Sequence, residues 1–233
     1  MKILGVDSSG MVASVAIIDE DITIAEYSVN YKKTHSQTLM PMLDEIVKMT
    51  ETDLADIDAI AVAAGPGSFT GLRIGAATVK GLGLALEKPV IAVPTCEALA
   101  YNLWQCDGLV CPIMDARRNQ VYTGIYEFDG ELKIVMEQTA MDAGELIDIL
   151  NRNPQHKVTF VGDGIPVYRQ QITENLKKEI FFAPQHINRQ RAGAVAALGM
   201  QMYRAGRSIT ADEMKPIYLR KSQAEREKEQ KTN

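Results

Sequence analysis

The sequence contains few of the residues that build metal centres and disulfide frameworks. Its 233 residues include three cysteines and three histidines. Cys96, Cys106 and Cys111 form no C-x-x-C pair, and no histidine belongs to an H-E-x-x-H motif. This pattern predicts no metal site, and an odd number of scattered cysteines favours a reducing compartment over disulfide bonds.

Long apolar stretches are also missing. No uninterrupted run approaches the ~20 apolar residues that cross a bilayer. Residues 1–7 lead directly into a predicted strand and lack the apolar core and cleavage site of a secretory leader. Together with the cysteine pattern, these absences predict a cytoplasmic protein without membrane association.

Positive charge is not in excess. Lys and Arg number 25 against 30 Asp and Glu, which gives a net charge of −5. Proteins that hold nucleic acid by themselves usually present a basic face, because phosphate contacts supply most of their non-specific affinity. Autonomous binding to DNA or RNA is therefore not expected.

Standard catalytic signatures are absent as well. There is no G-x-S-x-G nucleophile elbow, and the glycine-rich stretch 64–75 lacks the Gly-Lys-Ser/Thr end of a P-loop. Its G-x-G-x-x-x-G spacing also differs from the Rossmann fingerprint. Cys96 opens a predicted helix, where a thiol pKa can be lowered, although a buried structural thiol is favoured. No catalytic residue is assigned.

The sequence does contain a strand, a glycine loop and a helix start in succession. A predicted strand over 59–64 leads into Gly65-Pro66-Gly67-Ser68, and a helix rich in small residues is predicted over 72–86. Ser68 or Thr70 can accept hydrogen bonds from the first helical turn. Such a helix start favours a phosphate. The alternative is a glycine turn that lets strand and helix pack closely.

Aspartates follow three predicted strands. Asp7 is followed by Ser8 and Ser9 at the first hairpin, and Asp115 and Asp163 end later strands. Carboxylates at strand ends can surround a cleft, although ordinary Asp–Ser turns have the same sequence. The candidate nucleotide- or phosphate-binding residues are Asp7, Ser8, Ser9, Gly65, Gly67 and Ser68.

The order of predicted elements indicates an α/β fold with two related halves. A meander of three strands is followed by helix, strand, helix and strand, and a second set of strands begins near residue 109. The predicted parts are an N-terminal lobe over 1–107, a C-terminal lobe over 108–220, and a charged, flexible tail over 221–233.

Two predicted helices have the composition of contact surfaces. The helix over 36–50 has apolar residues on more than one face, several of them methionines. In the helix over 72–86, glycine and alanine lower helix stability but allow another helix to approach closely. The alternative is packing within the chain. The candidate interface residues are Leu39, Met42, Leu43, Ile46, Leu72, Gly75, Ala76 and Val79.

Motifs along most of the chain resemble the TsaB (YeaZ) family. They lie in the stretches 3–9, 35–41, 65–75, 80–82, 115–117 and 218–220. The glycine-loop motif is very specific. This family belongs to the actin/Hsp70/sugar-kinase (ASKHA) superfamily, so the resemblance implies two related lobes of mixed sheet flanked by helices.

The resemblance also implies a part in tRNA modification. Family members act with a catalytic paralogue, TsaD, and a P-loop ATPase, TsaE. Together they transfer a threonylcarbamoyl group from threonylcarbamoyl-AMP to N6 of the adenosine just 3′ of the anticodon, in tRNAs that read codons starting with A. The two N-lobe helices are implied to pair with TsaD, or with a second copy in a homodimer. Contact with tRNA is implied only through the complex.

One departure from the paralogue bears on catalysis. Its metal-binding H-x-x-x-H motif falls on Thr95 and Leu99 in this sequence. Leucine has no donor atom, and threonine is a poor ligand for a transition metal. The chain is therefore not expected to catalyse the transfer alone, and binding of ATP or ADP is only a weak expectation. An ATP-dependent phosphotransferase, a peptidase and a nucleotide-sensing module are the alternatives.

Overall fold

The computed structural model describes residues 1–31 and 33–220, so the predicted tail over 221–233 lies outside the described residues. This part of the chain forms two five-stranded mixed sheets. The first sheet contains β1 (Lys2–Asp7), β2 (Ala13–Asp19), β3 (Ile22–Val29), β4 (Ile57–Gly65) and β5 (Val90–Pro94). The second contains β6 (Leu109–Asp115), β7 (Gln120–Phe128), β8 (Leu132–Asp142), β9 (Lys157–Val161) and β10 (Glu179–Phe182).

The helices connect the strands in the same sequence in both sheets. They are α1 (His35–Thr50), α2 (Phe69–Leu86), α3 (Thr95–Tyr101), α4 (Ala143–Arg152), α5 (Ile165–Asn175) and α6 (Ala192–Arg204), with a short 3-10 turn at Leu54–Asp56. Each half therefore reads as three strands, helix, strand, helix, strand and helix. The strand orders β3-β2-β1-β4-β5 and β8-β7-β6-β9-β10 are equivalent. The predicted α/β class and the two related halves are confirmed.

The first sheet is covered on both faces because its strands alternate their side chains. Leu4 and Val6 point to the core beneath α1 and α2. Ile3 lies on the opposite face, against α6. Glycine permits that close approach, since a Cβ on Gly5 would lie 2.4 Å from the carbonyl oxygen of Ala192.

The end of the chain returns to the first lobe. The helix α6 packs on the first sheet. In addition, Val90 and Ile209 exchange two backbone hydrogen bonds of 2.9 Å, and the Ile217 N–H donates to Ala64 O at 2.7 Å. The predicted C-terminal lobe over 108–220 is therefore corrected. Residues 192–217 complete the first lobe, because the far face of its sheet would otherwise be exposed.

A second core lies between the second sheet and the helices α4 and α5. The two lobes meet through α3, whose Cys96 and Leu99 pack against Val110 and Tyr126 of the second sheet. The helix α3 begins at Thr95, one residue before the predicted Cys96, and α2 begins three residues before the predicted Leu72. Within residues 1–31 and 33–220, no helix has the length and apolar character needed to cross a membrane.

Candidate functional site

The turn after β1 meets the glycine loop after β4. We call residues 7–10 the closed turn. Ser9 donates to Asp7 Oδ1 from its N–H at 2.9 Å and from its hydroxyl at 2.7 Å. The Ser8 hydroxyl donates to Gly71 O at 2.9 Å, and the Ser68 N–H donates to Ser9 O at 2.7 Å. The predicted phosphate-binding residues are thus brought together, and their polar groups bond to one another.

Glycines let the closed turn approach the loop and α2. A Cβ on Gly67 would lie 2.3 Å from Ser9 O, and one on Gly71 would lie 2.0 Å from Ser8 O. Gly65 has a φ of +127° and faces Ile217 O, which a Cβ would meet at 2.2 Å. These contacts match the close-packing alternative that the sequence left open.

Loop N–H groups already have acceptors inside the chain. The Gly65 N–H donates to Thr95 Oγ1 at 3.1 Å, and the Gly71 N–H donates to Ser68 Oγ at 3.3 Å. Ser68 is therefore the N-cap of α2, as its position predicted. Since these groups are occupied within the protein, the contacts give no support to a bound phosphate or nucleotide, and that role stays a prediction.

A buried carboxyl and a partly buried one lie close together where the lobes meet. Asp7 is 1% exposed, and burial raises the pKa of its carboxyl to about 6, with a contribution from the charge of Asp163. Burial also raises the pKa of Asp163, whereas a hydrogen bond from the backbone of Asp115 lowers it. The side chain of Gln190, which is 1% exposed, lies beside the Asp163 carboxyl. The three strand-end aspartates therefore do converge.

The residues at the paralogue's metal positions do not fit a metal. Thr95 is fully buried, and its hydroxyl oxygen accepts a hydrogen bond from the Gly65 N–H. Leu99 is 1% exposed in the core between the lobes. Among the described residues, no group of three or more His, Cys, Asp or Glu side chains is placed to hold a metal ion. Burial raises the pKa of the Cys96 thiol, so the buried structural interpretation of this cysteine applies.

All eight predicted interface residues lie on the inner faces of α1 and α2. None of the seven with a side chain beyond Cα is more than 8% exposed, and Gly75 is also buried, against the hydroxyl of Ser8. The prediction that these residues face a partner is therefore corrected, because their side chains fix the helices to the sheet. The corrected residues are Leu39, Met42, Leu43, Ile46, Leu72, Gly75, Ala76 and Val79. That α1 and α2 contact a partner through another face stays a prediction.

Other residues form the outer face of these helices. On α2 the exposed positions Arg73, Ala77, Gly81 and Leu84 follow the spacing of a single helical face. Leu84 is 55% exposed, and a Cβ on Gly81 would meet no atom of the described residues within 4 Å. On α1, Met40 is 51% exposed. We call these five residues the outer helix face.

The last described residues cross both lobes. We call residues 216–220 the strap. Ile217 bonds to Ala64 in the first lobe, Tyr218 stacks on Phe69, and Arg220 donates to Ala116 O in the second lobe at 2.7 Å. In the sequence, the family resemblance at 218–220 was the only feature that indicated a specific role for this segment.

Comparison with known proteins identifies the family. The family model described as "TsaD: tRNA N6-adenosine threonylcarbamoyltransferase" matches residues 23–228. The tRNA threonylcarbamoyladenosine biosynthesis protein TsaB of Bacillus subtilis (strain 168) is 35% identical over 227 residues, which cover 97% of this chain and 96% of that protein. The solved structure of YeaZ from Pseudomonas aeruginosa has a TM-score of 0.79 at 25% identity, covering 94% of this chain and 99% of its own.

More distant structures share the fold alone. The inorganic polyphosphate/ATP-glucomannokinase from Arthrobacter sp. strain KM has a TM-score of 0.50 at 12% identity, over 88% of this chain and 99% of its own. The two-lobed architecture is thus of the ASKHA type. With its matching family model, its full-length relatives and its shared fold, the chain belongs to the TsaB (YeaZ) family.

Proposed function

We propose that the chain is a non-catalytic subunit needed, with TsaD and TsaE, to make threonylcarbamoyladenosine in tRNA in the cytoplasm. In this reaction N6 of the adenosine bonds to the carbamoyl carbon of threonylcarbamoyl-AMP, and AMP leaves. The observation that carries the proposal is the burial of Thr95 and Leu99 at the paralogue's metal positions. Family membership supports the process, and these two residues argue against catalysis by this chain alone.

The partner surface that we propose is the outer helix face. Ala77 and Gly81 project little from α2, so a partner helix can approach the backbone closely there. Leu84 on α2 and Met40 on α1 supply exposed apolar side chains. Since TsaD is a paralogue, its equivalent helices would complete a four-helix packing, and a second copy of this chain would do the same in a homodimer.

The contacts weigh against the enzymes that the sequence left as alternatives. A phosphotransferase needs groups that receive phosphate, whereas the Gly65 and Gly71 N–H groups donate within the chain. A peptidase of the cysteine type needs a thiolate, whereas burial raises the pKa of the Cys96 thiol. The catalytic part of the reaction is therefore assigned to the partner.

Reconstitution tests the function. Threonylcarbamoyl transfer to a tRNA transcript is measured with TsaD and TsaE in the presence of this chain, without it, and with the chain alone. We expect transfer only in the complete mixture. Transfer by the chain alone would refute the metal argument, and transfer unaffected by its omission would refute the subunit role.

An interface variant tests the surface. We expect Ala77→Glu to weaken binding to TsaD by at least about tenfold, because it buries an unpaired charge. Ala205→Glu, also at an exposed position, is the matched control and should bind normally. Binding is measured by titration calorimetry, and helical content by circular dichroism. Normal binding by a folded Ala77→Glu protein would refute this surface.

A further inference from the structure

Three sequence motifs that lie far apart in the chain meet on one surface. The rings of Phe69 and Tyr218 stack with centroids 4.7 Å apart and planes 7° apart. Arg73 Nε donates to the Tyr218 hydroxyl at 3.1 Å, and its guanidinium lies 5.8 Å from the Tyr218 ring centroid. Arg220, in the same strap as Tyr218, bonds to Ala116 O. The glycine loop, the turn after β6 and the end of the strap are therefore contiguous.

The turn after β6 presents two further arginines. We call residues 115–119 the open turn. Arg117, Arg118 and Asn119 have φ values of 62°, 57° and 59°, a left-handed conformation that costs about 1–2 kcal/mol for each such residue. Both arginines are exposed. The fold holds them in this conformation at the edge of the strap.

Hydrogen bonds keep the open turn in place. The Arg117 N–H donates to Asp115 Oδ1 at 2.8 Å, and the Asn119 amide donates to Asp142 Oδ2 at 2.7 Å. The Ala116 N–H donates to Gln120 O at 2.9 Å. These bonds involve the base of the turn and leave the arginine side chains to the solvent. A fixed backbone reduces the ordering cost when those side chains bind a ligand.

The charge of this surface is opposite to that of the chain. Its four cations, Arg73, Arg117, Arg118 and Arg220, belong to a protein with a net charge of −5. Within the described residues, no carboxylate lies within 4.0 Å of the guanidinium groups of Arg117, Arg118 or Arg220. Guanidinium groups match phosphate oxygens in geometry as well as in charge. We call these arginines, with Phe69 and Tyr218, the arginine–aromatic cluster.

We propose that the arginine–aromatic cluster binds the phosphodiester backbone of tRNA in the assembled complex. This inference rests on the proposed function. Tyr218 is 40% exposed and Phe69 is partly buried. Arginines beside an accessible aromatic ring are typical of RNA contacts, where cations meet phosphates and rings meet bases. Outside these four arginines, the chain has more acidic than basic residues, so this surface is the expected site of RNA contact. Arg73 also belongs to the outer helix face, so RNA bound here would lie beside the proposed partner.

A double variant tests the cluster. Arg117→Asn/Arg118→Asn removes two charges, and asparagine tolerates the left-handed backbone. The control Arg152→Asn/Lys177→Asn removes two exposed charges near the far end of α4, about 15 Å along that helix. Each protein is combined with TsaD and TsaE. Fluorescence anisotropy of a labelled tRNA transcript gives Kd over a salt series, and the same mixtures are assayed for transfer.

We expect the cluster variant to raise the Kd for tRNA roughly tenfold and to reduce the salt slope of log K by about 2. The control should match the wild type in both. Calorimetry with TsaD is measured in parallel. An unchanged tRNA Kd, or weakened TsaD binding with an unchanged tRNA Kd, would overturn the inference, and the latter would assign the cluster to an acidic protein surface. Failure of the proposed function is recognised separately, since the wild type would then be dispensable for transfer.

Discussion

The closed turn and the open turn occupy equivalent places in the two repeats but have opposite surroundings. Each follows the first strand of its sheet, and each begins with an aspartate whose Oδ1 accepts the N–H two residues later, at 2.9 Å for Asp7 and 2.8 Å for Asp115. Asp7 is 1% exposed beneath the glycine loop, whereas Asp115 is exposed. The same local turn therefore serves packing in one lobe and presents arginines in the other.

The difference originates in the partners of each turn. Ser8 and Ser9 turn their carbonyls toward Gly71 and Gly67, which have no side chains to keep them away. The open turn instead meets the strap through Ala116, and it bonds to the start of α4 and to Tyr168 of α5 through Asn119 and Asp115. In a duplicated fold, the state of a turn is thus determined by what packs across from it as much as by its own sequence.

The largest expected effect comes from forcing the closed turn apart. Gly71→Ala would place a Cβ 2.0 Å from Ser8 O, a backbone atom that cannot move aside. We expect a loss of about 4 kcal/mol in the free energy of unfolding, above the usual range for overpacking. Gly81→Ala in the same helix meets no atom of the described residues within 4 Å and should stabilise by about 1 kcal/mol. Urea unfolding compares the two, and equal effects would refute the packing role of Gly71.

The second prediction concerns the buried charge of the closed turn. The carboxyl pKa of Asp7 is raised from 3.8 to about 6. Between these values the native state binds more protons than the unfolded state, so stability falls as pH rises through this window, by about 3 kcal/mol in total. We expect Asp7→Asn to gain about this amount at pH near 8 and almost nothing at pH near 4.

Urea unfolding over a pH series measures this gain. Asp163 is present in both proteins, so its own titration largely cancels in the difference. The matched change Asp115→Asn in the open turn should alter stability by no more than ~0.5 kcal/mol at any of these pH values. A destabilised Asp7→Asn protein at high pH would show that the buried carboxylate is compensated by contacts other than those with Ser9.

The smallest expected effect comes from substitution by glycine, which should stabilise the protein in the open turn and destabilise it next to the closed turn. Arg118 has a φ of 57°, so Arg118→Gly should stabilise by about 0.5–1 kcal/mol by relieving the left-handed strain. Met11, which is 66% exposed just after the closed turn, has no such strain, and Met11→Gly should destabilise by a similar amount. Thermal unfolding of both variants is the measurement. Destabilisation by Arg118→Gly would contradict the strain assigned to the open turn.

Much of the fold could be predicted because its signals are local. The strand, glycine loop and helix over 57–86 are set by an apolar run, glycine punctuation and a Ser68 cap. The inner faces of α1 and α2 could not be separated from their outer faces in this way. Their apolar residues extend around the helix, so periodicity alone did not distinguish the buried Ala76 from the exposed Ala77.

The position of the chain's end was also beyond sequence reasoning. The alanine-rich composition of α6 favours a helix, yet it does not indicate that this helix lies on the first sheet rather than on the second. Gly5 and Gly199 make that packing close, but a glycine in a strand gives no indication of which distant helix it admits. The convergence of Tyr218, Phe69 and Ala116 depends on the same return of the chain.

The sequence by itself determined the two-lobed α/β class, the family motifs and the presence of Thr95 and Leu99, neither of which suits a transition metal. Each of these depends on residue type and short-range spacing. The tertiary structure alone decided that the polar groups of the closed turn bond within the chain and that the exposed residues of α1 and α2 are not the predicted interface residues. It also brought the residues of the arginine–aromatic cluster together. The physical reason is that burial and contact between residues far apart in the chain follow from global packing, which local patterns do not encode.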